Sequence, residues 1–334
     1  GGLNPAYDFV KKCLKSGKSV VTSNKELVAA HGAELLQIAK DENVNFLFEA
    51  SVGGGIPIIR PISQCLVANI VDEIAGILNG TTNFILTKMI EDGMQFDAAL
   101  KLAQDLGFAE RNPAADIEGH DACRKICILA SLAFGKHVYP NFVHTEGITE
   151  ITLEDVKYAE AYNCVIKLIG RVKRLDDGKI DIIVAPMFVP NKSQLANIDY
   201  EFNGIMVRGD CTGDVVFYGK GAGKLPTASA VVADVVDCCK HLKTRKFLFW
   251  ADGNGDNILP YEESVTAMYI RANTTFELAQ EVFGCIDKIE KADSPEGEIA
   301  FVTAQLPYGE IIEKIAALES RGAKVISKIR IGDL

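Results

Sequence analysis

Apolar positions in the first 60 residues follow helical and strand-like spacing in turn. The spacing predicts helices over 5–14 and 25–40, each followed by a short apolar strand, at 19–22 and 45–52. Ser23-Asn24 stands where an N-cap residue would begin the second helix. Helix, strand, helix and strand in this order are typical of a right-handed parallel α/β unit. We therefore expect the back half of a nucleotide-binding sheet.

The pattern becomes strand-like from residue 163 onward. Two long apolar runs, 163–175 and 179–189, flank Asp177-Gly178, and two shorter runs flank Asn203-Gly204. Both dipeptides predict hairpin turns. Residues 215–240 then predict a strand, a glycine-rich turn and a helix. The middle of the chain is thus expected to form an α+β domain with a largely antiparallel sheet.

The tail alternates strand-like and helical patterns, and this predicts a small βαββαβ module of the ferredoxin type. Its first helix is predicted over 277–292. The fold class is therefore α/β, with a partial Rossmann-type domain, an α+β domain and a ferredoxin-type module. The predicted segments are 1–60 for the nucleotide-binding remnant, 61–240 for the α+β domain, 241–264 for a linker and 265–334 for the module.

Composition narrows the class of protein. Among 334 residues, 48% are hydrophobic and 24% charged, which is ordinary for a soluble globular protein of two or three domains. The net charge of −10 disfavours nucleic acid and anionic membranes as partners. Nine cysteines without C-x-x-C spacing are typical of free thiols in a reducing compartment. With neither a membrane span nor a signal peptide in the sequence, we expect a cytoplasmic protein.

The stretch from Gly107 to Lys125 concentrates the side chains that carry chemistry. It contains Glu110, Asp116 and Asp121. Asp121 and Lys125 are four residues apart, so on a helix they lie on one face, one turn from each other. Such a pair is most often solvated, but the following residues, ICILASLAFG, are apolar almost all round and indicate a buried helix. A buried lysine beside carboxylates can bind a charged small molecule and transfer a proton.

Seven motifs occur in the order that a known family shows. They are VVTSNKELVAAHG, FEASVGGGIPIIRP, GILNGTTNFIL, GFAERNPAADIEGHDACRKICILA, HTEGIT, IKLIG and GKGAGKLPTASAVVADVVD. Together they resemble homoserine dehydrogenase of the form with a C-terminal ACT domain, over nearly all of residues 1–240. The tail resembles an ACT domain less closely, since Thr274-Thr275-Phe276 stands where that family commonly has Asp-x-Pro-Gly.

The resemblance implies an oxidoreductase that interconverts L-homoserine and L-aspartate 4-semialdehyde, in threonine, methionine and isoleucine biosynthesis. Lys125 matches the catalytic lysine that donates a proton when the semialdehyde is reduced. Lys25 matches a second catalytic lysine near the nicotinamide, and mutual repulsion of the two would favour proton release near neutral pH. The substrate-binding residues that the resemblance implies are Glu110, Asp121, Asp116, Gly80 and Thr81.

The same resemblance implies two further ligands. NADP or NAD would be the cofactor, contacted by Lys25, Gly107, Gly221 and Gly223. The motif FEASVGGGIP matches a sodium-type monovalent cation site, for which hard oxygen ligands are suited. Its ligands would be the carboxylate of Glu49 and the backbone carbonyls of Val52, Gly54 and Ile56.

The resemblance also bears on partners, and the sequence departs from the family at its start. The resemblance implies a homodimer built on the middle sheet and a threonine effector at the ACT-like tail. The family's first strand and its G-x-G-x-x-G phosphate loop do not occur in these residues, so we expect residues 1–334 alone to bind dinucleotide poorly and to have little activity. Two alternatives remain open: a non-catalytic, amino-acid-sensing fragment, and a semialdehyde dehydrogenase. The second would need a nucleophilic cysteine beside a histidine, and no cysteine stands in such a context.

Overall fold

The structure, a computed structural model, describes residues 2–242 and 244–334. Gly1 and Lys243, which belong to the predicted first segment and to the predicted linker, lie outside the described residues. The α-helices are α1 (Ala6–Lys15), α2 (Lys25–Asp41), α3 (Gly80–Glu91), α4 (Phe96–Asp105), α5 (Ala114–Ile117), α6 (His120–Phe134), α7 (Leu153–Ala161), α8 (Lys224–Lys240), α9 (Phe276–Phe283) and α10 (Tyr308–Ser320).

The strands form one long sheet and two small ones. They are β1 (Val20–Val21), β2 (Phe46–Leu47), β3 (Val71–Ile77), β4 (His144–Thr145), β5 (Cys164–Arg174), β6 (Ile180–Pro190), β7 (Phe202–Gly209), β8 (Gly213–Lys220), β9 (Val265–Thr266), β10 (Met268–Asn273), β11 (Ile286–Lys288), β12 (Glu298–Thr303), β13 (Leu306–Pro307) and β14 (Lys324–Ile331). The long sheet has the order β11-β12-β10-β14-β6-β5-β3-β7-β8, with β4 beside β6.

The first segment forms the parallel unit that the sequence predicts. β1 pairs with β2 in parallel, and α1 and α2 pack beside them. Asn24 caps α2, because its side chain accepts a hydrogen bond from the backbone N–H of Leu27 at 3.1 Å. The second strand is shorter than predicted. The chain turns into a 3₁₀ helix at Glu49–Ser51, where the Asp234 carboxylate accepts from the Glu49 N–H at 2.9 Å.

The middle domain confirms the largely antiparallel sheet and one of the two predicted hairpins. β5 and β6 pair along their full length on either side of Asp177-Gly178. The other predicted turn is wrong, because Asn203-Gly204 lies inside β7 and the chain reverses between β7 and β8. Glycine at position 204 allows the Ile198 side chain to pack against the strand, since a Cβ there would lie 2.0 Å from Cδ1 of Ile198. Close packing has overridden the local turn preference.

The tail has the predicted βαββαβ order, with β11, β12, β10 and β14 as antiparallel neighbours. The predicted helix over 277–292 is wrong beyond Phe283. α9 ends at Gly284, whose φ of 79° favours glycine, and β11 follows within the range predicted as helix. β14 also pairs in parallel with β6, so the sheet of the tail continues the middle sheet.

Helix α6 lies directly on the middle sheet. A Cβ on Gly170 of β5 would lie 2.8 Å from Cδ1 of Leu78 and 3.3 Å from Cβ of Ile126, so glycine permits this close approach. α6 begins after Gly119 and ends at Gly135, both with a positive φ that favours glycine. The first turns of α6 therefore lie at the end of β3. Among the described residues, no helix combines the length and the apolar character needed to cross a membrane.

A capping box begins helix α7. The Thr152 hydroxyl accepts from the Asp155 N–H at 3.3 Å, and the Asp155 carboxylate accepts from the Thr152 N–H at 3.0 Å.

We predict that Thr152→Ala lowers the free energy of unfolding by about 1–2 kcal/mol, because the helix start loses its cap. Urea unfolding measures this value. Thr149→Ala, at an exposed position just before the cap, is the control and should change it by less than about 0.5 kcal/mol; equal losses for the two variants would contradict the role of the cap.

Candidate active site

A cavity of about 780 Å³ opens where five parts of the chain meet. These are the start of α2, the glycine turn at 53–55, the start of α3 with the segment 106–110, the start of α6, and the loop between β8 and α8. The predicted site residues that line it are Lys25, Gly54, Gly80, Thr81, Gly107, Glu110, Asp116, Asp121, Lys125, Gly221 and Gly223. The structure thus brings together residues that the sequence separates widely.

Asp121 lies between the two predicted catalytic lysines. Lys125 Nζ lies 2.7 Å from Asp121 Oδ2 and donates to the Leu78 carbonyl at 2.6 Å. Lys25 Nζ lies 3.0 Å from the other oxygen, Oδ1. Asp121 and Lys125 are buried, whereas 40% of the Lys25 side chain is exposed. The repulsion expected between the lysines is therefore offset by a shared carboxylate.

Asn79 also belongs to this cluster, although the sequence analysis did not single it out. Its Nδ2 donates to Asp116 Oδ1 at 2.7 Å and to Asp121 Oδ2 at 2.9 Å, and its Oδ1 accepts from the Thr82 N–H at 2.9 Å. One side chain therefore caps α3 and joins two of the predicted carboxylates. The available signal was its position directly before Gly80-Thr81, where asparagine is a preferred N-cap.

The two aspartates have opposite pKa shifts. Burial alone would raise the pKa of Asp121, but Lys125, Lys25 and the Asn79 amide together hold it well below its ordinary value. Burial raises the pKa of Asp116, and the charge of Asp121 raises it further against the hydrogen bond from Asn79. Asp121 is thus a fixed negative charge, and Asp116 is the carboxyl group that protonates more readily.

The remaining predicted substrate residues line the rim and one wall. Glu110 is exposed at the rim. Thr81 is buried, and its hydroxyl donates to the Phe108 carbonyl at 2.6 Å, which ties the start of α3 to the segment that carries Gly107 and Glu110. Gly80 packs so closely that a Cβ would lie 2.6 Å from the Glu201 carbonyl oxygen. This wall therefore exposes main-chain groups.

The predicted cofactor glycines form the opposite wall. A Cβ on Gly54 would lie 2.4 Å from the Gly221 carbonyl oxygen, and Gly223 has a φ of 117°, which other residues rarely adopt. Gly107, with a φ of 79°, ends the segment after α4. Main chain without side chains is what close approach of a dinucleotide requires, so these residues fit its nicotinamide end. Lys220 and Glu201 also line the cavity and were not predicted.

The predicted cation ligands fit only in part. Both oxygens of Glu49 are occupied: Oε1 accepts from the N–H groups of Ile58 and Ile59 at 2.6 and 2.8 Å, and Oε2 accepts from that of Arg60 at 3.0 Å. The Arg60 guanidinium lies 3.3 Å from Oε2. A carboxylate so engaged does not suit a cation, so only the backbone carbonyls remain as candidate ligands. Those of Val52, Gly54 and Ile56 accept no hydrogen bond within residues 2–242 and 244–334.

Comparison with known proteins agrees with this geometry. The family model described as homoserine dehydrogenase matches residues 57–236, and the one described as homoserine dehydrogenase, NAD binding domain, matches residues 1–49. The chain belongs to the homoserine dehydrogenase family. It is an oxidoreductase with an NAD(P)-binding domain, as the sequence predicts. The exact segment boundaries remain predictions.

Relatives align along most or all of the chain. The homoserine dehydrogenase of Neisseria gonorrhoeae is 39% identical over all of this chain and 81% of its own length, and that of Bacillus subtilis is 44% identical over 73% of this chain and 56% of its own length. The crystal structure of a homoserine dehydrogenase from Thiobacillus denitrificans superposes with a TM-score of 0.89 at 38% identity, covering 100% of this chain and 80% of the other.

A hyperthermophilic archaeal homoserine dehydrogenase in complex with NADPH is more distant. Its TM-score is 0.61 at 30% identity, with 72% of this chain and 70% of the other covered. None of these four proteins is described as a non-catalytic sensor or as a semialdehyde dehydrogenase, so neither alternative gains support.

The opposite shifts of the two aspartates can be measured. We predict that carboxyl ¹³C resonances show Asp121 ionised throughout a titration from pH 7 to about 3, while Asp116 protonates above the ordinary aspartate value of about 3.9. A lowered folded-state pKa means that ionised Asp121 stabilises the fold above about pH 3.9, and this contribution is lost only as the pH falls further. Lys125→Met should move the pKa of Asp121 upward, since one ammonium is lost. Titration of both aspartates together near 3.9 would contradict the arrangement.

Proposed function

We propose that this protein catalyses the NAD(P)-dependent interconversion of L-homoserine and L-aspartate 4-semialdehyde at the cavity described above. One observation carries the proposal. The buried ammonium of Lys125 has acceptors for two of its three N–H groups in the Leu78 carbonyl and Asp121, at 2.6 and 2.7 Å. The third remains for a substrate oxygen at the cavity floor, which is the position a proton donor needs.

The carboxylate and the ammonium group of the substrate can each be assigned to a part of the cavity with complementary charge. Gly80 and Thr81 are the first residues of α3, where N–H groups lack intrahelical acceptors and the helix dipole favours an anion. We assign the substrate carboxylate to this helix start. Glu110, at the rim, is assigned to the substrate ammonium, with Asp116 beside it. The aldehyde or alcohol oxygen then lies towards Lys125.

The proton and the hydride take separate routes. A bound NAD(P)H supplies the hydride to the aldehyde carbon. Lys125 gives a proton from Nζ to the aldehyde oxygen, and this yields the hydroxyl group of homoserine. Asp121 keeps its charge throughout and holds Nζ in place. Lys25 binds the other oxygen of Asp121 and is partly exposed, and Lys125 regains its proton from solvent that enters the open cavity.

The cofactor assignment is limited to its nicotinamide end. Lys25, Gly107, Gly221 and Gly223 would border the nicotinamide, and the sequence contains no G-x-G-x-x-G to hold the pyrophosphate. Weak dinucleotide binding by residues 1–334 alone therefore stays a prediction. Residues that contact the ribose determine whether a protein of this kind binds NADP or NAD. None of the predicted cofactor residues is assigned to that contact.

We also propose the biological setting that the family implies. The protein would act in threonine, methionine and isoleucine biosynthesis in the cytoplasm, as a homodimer built on the middle sheet. The tail would be an ACT-like domain that responds to threonine, which its βαββαβ order supports. A sodium-type cation would bind the carbonyls of Val52, Gly54 and Ile56.

Replacement of the proposed proton donor tests the function. In the gene product that contains residues 1–334, Lys125→Met should lower kcat for NADPH-dependent reduction of L-aspartate 4-semialdehyde by roughly 10²–10⁴-fold, because the proton donor is lost while a similar apolar stem remains. Spectrophotometric loss of NADPH gives the rate, and thermal unfolding confirms that the variant is folded.

The matched control is Lys101→Met, at an exposed lysine that pairs with Asp105 at the same four-residue spacing. Its kcat should equal that of the unaltered protein. Turnover by Lys125→Met at the rate of this control would overturn the assignment.

A further inference from the structure

Asn203 is a buried polar residue that the proposed reaction does not use. It lies in β7 with 0% exposure. Neither its side-chain nitrogen nor its oxygen has a hydrogen-bond partner in the part of the chain that the structure describes. Buried amides are almost always paired, so an amide with both groups unpaired calls for a specific explanation.

The position of Asn203 is fixed by its surroundings. It pairs with Gly219 in the β7–β8 ladder. The preceding carbonyl, that of Phe202, accepts from Asn83 Nδ2 at 3.2 Å, and the same amide also holds the carbonyls of Ile198 and Tyr200 at 2.9 and 3.0 Å. These hydrogen bonds fix the backbone of the segment that leads into β7. The unpaired side chain is held in place rather than free to seek a partner.

The neighbours of the Asn203 amide are two glycines of the cavity wall. A Cβ on Gly221 would lie 2.1 Å from its nitrogen and 2.4 Å from its oxygen, and a Cβ on Gly80 would lie 3.5 Å from that oxygen. Both glycines line the cavity. Glycine main chain of the cavity wall therefore lies directly against the amide. Gly80 belongs to the proposed substrate wall, and Gly221 belongs to the proposed cofactor wall.

We propose that Asn203 is a positioning residue for hydride transfer, an inference that rests on the proposed function. Its amide offers N–H donors and an oxygen acceptor, and the main chain of Gly221 offers groups of both kinds. The Gly80 N–H belongs to the substrate carboxylate, so Gly80 meets the amide by contact alone. When substrate and dinucleotide fill the cavity, the Gly221 wall pairs with the amide and the Gly80 wall packs against it. Asn203 thereby sets the separation of the two walls, and with it the distance between the hydride donor and the aldehyde carbon.

The proposal predicts an unusual combination of effects for Asn203→Ala. The free protein loses no hydrogen bond, because the amide has none, and it no longer buries unpaired polar atoms. Its Tm should therefore be unchanged or higher. In the gene product that contains residues 1–334, kcat for NADPH-dependent reduction should fall about tenfold or more. The isotope effect on kcat with NADPH deuterated at the transferred position should rise, because hydride transfer becomes slower than other steps.

Asn83→Ala is the matched control. Asn83 is equally buried, but its amide donates to three carbonyls, so its loss should lower the Tm clearly. A fall in the Tm of Asn203→Ala comparable with that of Asn83→Ala, or failure to fold, would show a merely structural role and overturn the proposal. A stable Asn203→Ala variant with unchanged kcat and isotope effect would overturn it as well.

The outcome for Lys125→Met separates this proposal from the proposed function. If Lys125→Met keeps its turnover, the function itself is wrong. If Lys125→Met loses turnover while Asn203→Ala keeps the original kcat and isotope effect, only the positioning role is wrong.

Discussion

The site depends on one buried carboxylate that is shared by two lysines. A buried, unpaired carboxylate is costly, and breaking a buried pair by removing one partner costs about 3–5 kcal/mol. Asp121 avoids this cost because Lys125, Lys25 and Asn79 all lie within 3.0 Å of its oxygens. It also stands in the first turn of α6, where the helix dipole favours negative charge. The three partners come from three separate segments, so one carboxylate fixes how α2, α3 and α6 meet.

The second constraint is close packing of main chain around the cavity. At Gly54, Gly80 and Gly221 a Cβ would lie between 2.1 and 2.6 Å from neighbouring atoms, so no side chain fits. At these glycines the walls therefore present N–H and carbonyl groups, whereas the buried charges, Asp121 and Lys125, lie at the floor. Such a division suits a small zwitterion that must lie against a flat nicotinamide ring. It also explains why glycine-rich motifs far apart in the sequence line the same space.

The parts of the site that depend on local spacing could be predicted from the sequence. The four-residue spacing and the apolar residues that follow were sufficient to predict that Asp121 and Lys125 share a face of a buried helix. The approach of Lys25 to the same carboxylate depends on how α2 meets α6, so only the family motifs indicated it. The side chain of Glu49 shows a further limit, because a motif does not tell whether a carboxylate is already engaged by backbone N–H groups of its own chain. Asn203-Gly204 shows the opposite failure: a strong local turn signal was overridden by the contact between Gly204 and Ile198.

The most direct test of this account is a crystal structure of the gene product that contains residues 1–334 with L-homoserine bound. We expect the homoserine hydroxyl oxygen to lie about 3 Å from Lys125 Nζ. Asp121 should still bridge Lys125 and Lys25, and the substrate carboxylate should lie at the start of α3. A hydroxyl group directed away from Lys125, or a substrate that displaces Lys125 from Asp121, would contradict the central claim that this carboxylate holds the proton donor in place.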